Sequence, residues 1–206
     1  MTFFLQRQLT SLTRFVARFM LRRFEPGIVG VTGSVGKTST KTAIAMVLRS
    51  QRRIRAAASS HNNEFGVPLT IIGEWKPRAL ALVAKENAGG GKKIRKAFFW
   101  AYVLFVGIMR FLFLSKRNYP EVLVLEYGAD RPGDLKKLLE IARPQIGVVT
   151  AVGDVPAHVE FYESPAAVAR EKRRLIEALP ATGFAILNAD DESVLRMREA
   201  TRAQVL

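Results

Sequence analysis

The chain has 206 residues, enough for one well-buried core, and no cysteine, which excludes a disulfide frame and a thiolate metal site. Its net charge of +14 is uneven: residues 1–120 hold 21 Lys or Arg against 4 acids, whereas residues 121–206 hold 11 against 14. The basic first half suits anionic partners, and without a recognisable nucleic-acid module nucleic acid is not expected among them.

Residues 3–24 have helical periodicity. Leu5, Leu9, Leu12, Val16, Phe19 and Met20 fall on one face and Arg7, Arg14 and Arg18 nearly opposite. Two readings stand for this basic amphipathic helix: an interfacial membrane helix, or a helix packed against its own domain. Arginines recur throughout it and no small-residue cleavage site follows, so it does not read as a secretory signal.

The apolar run Ile28-Val29-Gly30-Val31 then leads into Thr32-Gly33-Ser34-Val35-Gly36-Lys37-Thr38-Ser39, followed by a helical stretch over 41–48. A strand, a glycine turn and a helix start form a phosphate cradle: the glycines let backbone N–H groups crowd the phosphate oxygens, and the helix adds roughly half a positive charge. Lys37 is placed to reach the β- and γ-phosphates and the Thr38 hydroxyl to sit on Mg²⁺. The strict Gly-x4-Gly-Lys-Ser/Thr pattern would need glycine at position 31, where the chain has Val31, so the motif is the shorter Thr-Gly-x-x-Gly-Lys-Thr form.

Residues 97–114 are apolar except for Arg110, with Lys92, Lys93, Arg95 and Lys96 before them and Lys116 and Arg117 after. By length the segment borders on a membrane span. Basic clusters at both ends and the cost of Arg110 at bilayer depth argue against a crossing, and monotopic association is favoured over a purely buried helix. Further on, Glu121 to Glu126 reads as a short strand ending in a carboxylate, and 146–150 as a strand leading to Gly153 and His158. In open α/β sheets ligands bind beyond the carboxyl ends of strands, which makes Glu126 a candidate Mg²⁺ ligand and His158 a candidate second ligand. A helix over 165–179 carries Lys172, which on charge alone belongs to a solvated basic face with Arg173 and Arg174.

Taken together, these blocks resemble the central ATPase domain of the Mur ligases over residues 27 to about 195. The resemblance rests on the 32–39 loop, on Asn62-Asn63-Glu64-Phe65-Gly66-Val67-Pro68-Leu69-Thr70, on Leu125-Glu126-Tyr127-Gly128-Ala129-Asp130, and on stretches 153–161, 169–175 and 187–191. The Asn-Asn-Glu block and Gly128-Ala129-Asp130-Arg131-Pro132-Gly133-Asp134 look most like the branch that adds D-alanyl-D-alanine. The resemblance implies a P-loop-type α/β fold with a mostly parallel sheet. It also implies ATP and Mg²⁺ as cofactors and a cytoplasmic ligase that joins D-alanyl-D-alanine to UDP-N-acetylmuramoyl-tripeptide through an acyl phosphate. Carried over by position, Lys37 and the 32–39 amides hold the phosphates and Thr38 and Glu126 hold one Mg²⁺. His158 ligates a second, Lys172 is the carbamylated lysine that bridges metals, and Asn62 and Asn63 face the UDP-muramoyl substrate. His61 is read as structural, and Asn188 to Asp191 as a strand-to-helix turn with a cap.

Family members carry a UDP-binding domain before the loop and further domain structure after the Asn-Ala-Asp-Asp block. The expectation is therefore a fragment or truncated product: a basic helix over 1–25, then a central ATP-binding domain over 26–206 with a hydrophobic insertion at about 92–118. Two alternatives stay open, a ligase of the folylpolyglutamate synthase branch and a membrane-docked nucleotide-binding module without ligase activity.

Overall fold

The computed structural model describes residues 3–57, 62–80, 90–153 and 156–206. Helix α1 (Phe3–Phe24) leads into β1 (Gly27–Thr32), then α2 (Lys37–Arg49), β2 (Ile54–Ala56), α3 (Gly66–Ile72), the single turn α4 (Pro77–Leu80) and the long α5 (Gly90–Phe113). The chain continues through β3 (Val122–Glu126), α6 (Asp134–Ile141), β4 (Ile146–Val149), α7 (Pro165–Glu177), β5 (Phe184–Leu187), the short α8 (Glu192–Leu195) and β6 (Gln204–Val205). The α/β class and the parallel sheet expected from the sequence are present: six strands among the described residues pair in parallel in the order β2-β3-β1-β4-β5-β6.

The strands read as near-continuous apolar runs because both faces of the sheet are covered. On one face, α2 lays Ile44 and Leu48 over Val29, Val31, Val124 and Val148. On the other, Ile28, Leu123 and Leu125 meet the larger core, shared by α1, α3, α5, α6 and α7. Beyond β4, a third cluster around Ile176, Ala185, Leu187 and Val194 seats β5 and the C-terminal turns. From β1 the chain moves toward β2 and β3, and from β4 it moves toward β5, so the crossovers diverge at the β1/β4 boundary. That divergence opens a crevice at the carboxyl end of the strands.

Helix α1 is packed against its own domain, but through a stripe rotated from the expected one. Thr13, Ala17, Met20 and Phe24 are buried, whereas Leu12 and Phe19 are exposed. The reason is its neighbours: α1 runs beside α5 as well as over α3 and α6, so polar Thr13 turns inward and bonds the Leu9 carbonyl (2.6 Å). The hydrophobic segment likewise folds onto the protein, with Phe99, Trp100 and Val103 in the core. Among the described residues no helix is long and apolar enough to cross a membrane.

Arg110, counted above as a cost in a bilayer, points inward and donates to the Ile72 carbonyl (2.7 Å). α1 and α5 approach closely at Gly107, where an added Cβ would lie 2.7 Å from Val16 Cγ1. Substituting Gly107→Leu should therefore push the two helices apart and cost about 1–3 kcal/mol. Urea unfolding checks this, and a variant as stable as the parent would show that the seam is not tight.

Candidate functional site

The site begins where β1 runs out. Gly33 (φ 148°) and Gly36 (φ 81°) adopt backbone conformations that side chains disfavour, and Thr150 Oγ1 occupies the space a Cβ at Gly33 would need. These turns swing the chain from β1 into α2 in four residues. Val35 bridges Ala151, Ser34 N–H donates to the Ala151 carbonyl (2.6 Å), and the Thr150 hydroxyl donates to the Val35 carbonyl (2.5 Å). The loop after β4 thus braces the loop after β1 across the crevice.

Helix α2 follows its N-cap Gly36 with no side chain capping its first turn among the described residues, so its leading N–H groups, with the helix dipole behind them, face the loop. The Ser34 hydroxyl is buried and has no hydrogen-bond partner among the described residues. An orphaned buried hydroxyl beside uncapped amides fits a phosphate oxygen. Lys37 folds over the same loop, donating to the carbonyls of Gly33 (2.7 Å) and Ser34 (3.0 Å). Burial pushes its pKa down, opposed by the carboxylates of Glu126 and Asp130. Thr32 is buried and bonded to the Tyr127 carbonyl (2.9 Å), while Ser39 and Val35 are exposed on the rim.

At the end of β3, register places Glu126 opposite Val31, and its carboxylate is only 1 % exposed. Oε2 accepts from the Thr38 hydroxyl (3.1 Å) and the Lys41 ammonium (3.2 Å), and Oε1 accepts from the Asn62 amide (3.2 Å). Thr38 and Glu126, expected as partners on one Mg²⁺, are thus adjacent, and a hydroxyl beside a carboxylate is a hard-oxygen donor pair of the kind Mg²⁺ takes. The role of Lys41 was missed in the sequence. A lysine four residues after Lys37 in a helix gives no local sign that it turns under the sheet edge. Asn63 instead caps α3, its Oδ1 accepting from the N–H groups of Phe65 (3.1 Å) and Gly66 (2.9 Å). Both asparagines line a cleft of about 170 Å³ with Gly128, Asp130 and Arg131. His61 lies outside the described residues.

His158 sits at φ 67°, and its Nε2 lies 3.4 Å from Asp130 Oδ1, with both side chains about half exposed. Lys172, assigned on charge to a solvated face, is instead 2 % exposed. Burial, with the positive charge of Lys37 adding to it, pulls its pKa down to about 8, against the attraction of Asp130 and Glu171. Asp130 thus lies beside His158, and its charge also acts on two other expected site residues, Lys37 and Lys172. It was readable in the sequence as the fourth residue after Glu126. Thr38 and Glu126 on one side and His158 with Asp130 on the other are the donor sets this rim supplies. Among the described residues no three His or carboxylate side chains form one cluster. Asp191 behaves as the expected cap: its carboxylate accepts from Val194 N–H (3.1 Å) and also from Val152 (2.7 Å) and Gly153 (2.9 Å). Those bonds hold its pKa low although burial works the other way.

The fold and this rim define a phosphate-loop α/β domain of the kind that binds nucleotides at the carboxyl edge of a parallel sheet. The chain belongs to the Mur ligase family: residues 104–206 match the Mur ligase middle domain. It is 34% identical over 179 residues to the UDP-N-acetylmuramoyl-tripeptide–D-alanyl-D-alanine ligase of Mycobacterium leprae, covering 87% of this chain and 26% of that protein. The match to the corresponding Synechocystis ligase is 30% identical and covers 88% of this chain and 30% of that protein. The MurF ligase of Thermotoga maritima, solved in complex with ADP, superposes with a TM-score of 0.67 at 27% identity, over 96% of this chain and 36% of that one. The chain thus spans about a quarter to a third of the length of these relatives.

Two outcomes follow from the buried charges. Lys41→Met leaves Glu126 buried without its ion-pair partner and should cost about 3 kcal/mol, whereas Lys41→Met combined with Glu126→Gln should recover much of that. A denaturation cycle measures both, and additive losses would mean the pair is not coupled. Lys172 has a pKa of about 8 when folded against an ordinary 10.5. Between those values the unfolded chain binds the extra proton, so stability should rise as pH increases through this window and be lowest below it. In CO2-free buffer, Lys172→Met should be the more stable form at pH 7 and lose that advantage by about pH 10.5. A pH-independent difference would contradict the shift.

Proposed function

We propose that this chain is the nucleotide-binding core of an ATP-dependent ligase that joins D-alanyl-D-alanine to UDP-N-acetylmuramoyl-tripeptide, working in the cytoplasm. The observation that carries the reading is the convergence of Lys37, Thr38 and Glu126 beside an uncapped helix start with the orphaned Ser34 hydroxyl. In this reading the loop amides of residues 32–39 and Lys37 cradle the ATP phosphates. Bound Mg²⁺, held by Thr38 and Glu126, would supply charge neutralisation for the transferring phosphoryl group.

The tripeptide carboxylate attacks the γ-phosphorus and ADP leaves. The amine of D-alanyl-D-alanine then attacks the acyl carbon, phosphate departs and the amine proton is released. With little covalent work for the protein, holding two anions together and screening their charge is the main requirement. The cleft beside Asn62 and Asn63 is assigned to the UDP-muramoyl substrate.

Lys172 suits carbamylation because only a neutral amine adds CO2, forming a C–N bond and releasing a proton. With a pKa of about 8, roughly a tenth of it is neutral at pH 7, far more than for an ordinary lysine. Its carbamate would replace a cation with a carboxylate within the field of Asp130, which belongs to the second donor set. Peripheral placement at the inner face of the plasma membrane belongs to the same proposal and is supported by the outward apolar residues of α1 and α5.

The test is phosphate release by the full-length protein given ATP, UDP-N-acetylmuramoyl-tripeptide and D-alanyl-D-alanine. Release should require all three and fall at least a thousandfold in Lys37→Ala, with nucleotide affinity lost in a parallel titration. Nucleotide binding with no amide product in the full-length protein would favour a binding module over a ligase.

A further inference from the structure

We infer that the joint outer face of α1 and α5 is a docking surface for an anionic lipid bilayer. The inference rests on the peripheral placement proposed above and names the surface and the lipid chemistry. Along α5, Phe98 (72% exposed), Tyr102, Phe105 (59%), Ile108, Leu112 and Phe113 (79%) all face solvent. Phe98, Tyr102, Phe105, Met109 and Leu112 recur at helical spacing and so form one stripe. The one charge in residues 97–114, Arg110, is turned to the Ile72 carbonyl, which leaves the outer side of this segment without a charged group. Turning the half-buried Arg110 toward the protein and presenting aromatic rings outside is the reverse of a soluble surface helix.

Helix α1 extends the patch. Leu12, Phe15 and Phe19 are exposed, Phe15 and Phe19 pack ring to ring (4.4 Å), and Phe19 meets Phe111 of α5 edge-on (6.1 Å).

The charges around the patch select the occupant. Arg18, Arg22, Arg23, Arg95, Lys116 and Arg117 are exposed around it. Glu25, the acid at the end of α1, is paired with Lys116 (2.7 Å). Aromatic and aliphatic side chains in the plane of the interface with arginines and lysines reaching headgroup phosphates is the arrangement of an interfacial anchor. A second copy of the chain fits poorly, because a two-fold interface would set this basic rim against itself. Docked this way, both helices lie flat on the bilayer and neither enters it as a span.

The experiment is flotation of the full-length protein with vesicles of phosphatidylglycerol and phosphatidylethanolamine, and with vesicles of phosphatidylcholine alone. Expected is binding to the anionic vesicles at least tenfold stronger than to phosphatidylcholine and weakened by salt. Phe98→Glu with Phe105→Glu should lose at least tenfold, and Phe98→Leu with Phe105→Leu should retain binding. Thermal melting and nucleotide titration confirm that each variant is folded. These 206 residues hold no cysteine, so with any cysteine elsewhere in the full-length protein replaced by serine, Phe105→Cys gives a single attachment point for an environment-sensitive fluorophore, whose emission should shift to the blue on anionic vesicles only.

Failure to bind either vesicle would overturn both the peripheral placement and the inference. Vesicle binding that the glutamate pair leaves unchanged would overturn the assigned face alone, and equal binding to both vesicles would overturn the charge selection. A dimer formed without lipid and broken by the glutamate pair would assign the face to a second copy. Slow labelling of Phe105→Cys in the absence of lipid would show that another part of the protein covers it. Either result ends the inference.

Discussion

A carboxylate cannot be left ionised and unpaired inside a protein, and Glu126 sits at the buried end of β3. Its satisfaction joins three separate parts of the chain: Thr38 and Lys41 from α2, and Asn62 from the segment before α3. The phosphate loop, the end of β3 and the Asn-Asn block are thereby held in one arrangement before any ligand arrives. Pre-organised polar groups of this kind are costly to bury and strong once satisfied. In a site whose task is to hold anions and a cation in register, that rigidity is useful.

The second set of groups is looser. Asp130 and His158 are about half exposed, and the αL backbone at His158 carries a modest conformational cost. Lys172 is the exception, buried with a depressed pKa beside the positive charge of Lys37. Burial is the larger cause of its readiness to give up a proton, and the like charge of Lys37 adds to it. That is a physical reason for a lysine here to be reactive where the next two residues, the exposed Arg173 and Arg174, are not. The tight pocket around Glu126 and the open pair around Asp130 thus divide the rim into a fixed part and an adaptable part.

The apolar outer face of α1 and α5 is separate from this rim in residues but joined to it through the core. Trp100 and Val103 of α5 pack in the same cluster as Leu125 and Tyr127, which flank Glu126. A helix that buries aromatic residues on one side and shows them on the other anchors itself to the domain and to something outside it.

Much of the fold was legible in the sequence because its signals are local. The strand-turn-helix around Gly33 and Gly36, the short apolar strands and the carboxylate closing β3 each depend on residues adjacent in the chain, and the family blocks are contiguous strings. The orientation of the long helices was not legible. α1 has apolar residues on most of its circumference, so which of them is buried depends on α5 and α3 arriving beside it, and Thr13 rather than Leu12 went inward. Arg110 reads as a penalty in a hydrophobic run until the Ile72 carbonyl is placed opposite it. The pairing of Lys41 and the burial of Lys172 were also decided only by tertiary structure, because a charge acquires its partner and its pKa from residues that the sheet brings together across tens of positions. Sequence set which chemistry the chain could carry, through local backbone requirements and residue type; packing decided which charges meet and which faces remain open, because desolvation and pairing act only across space.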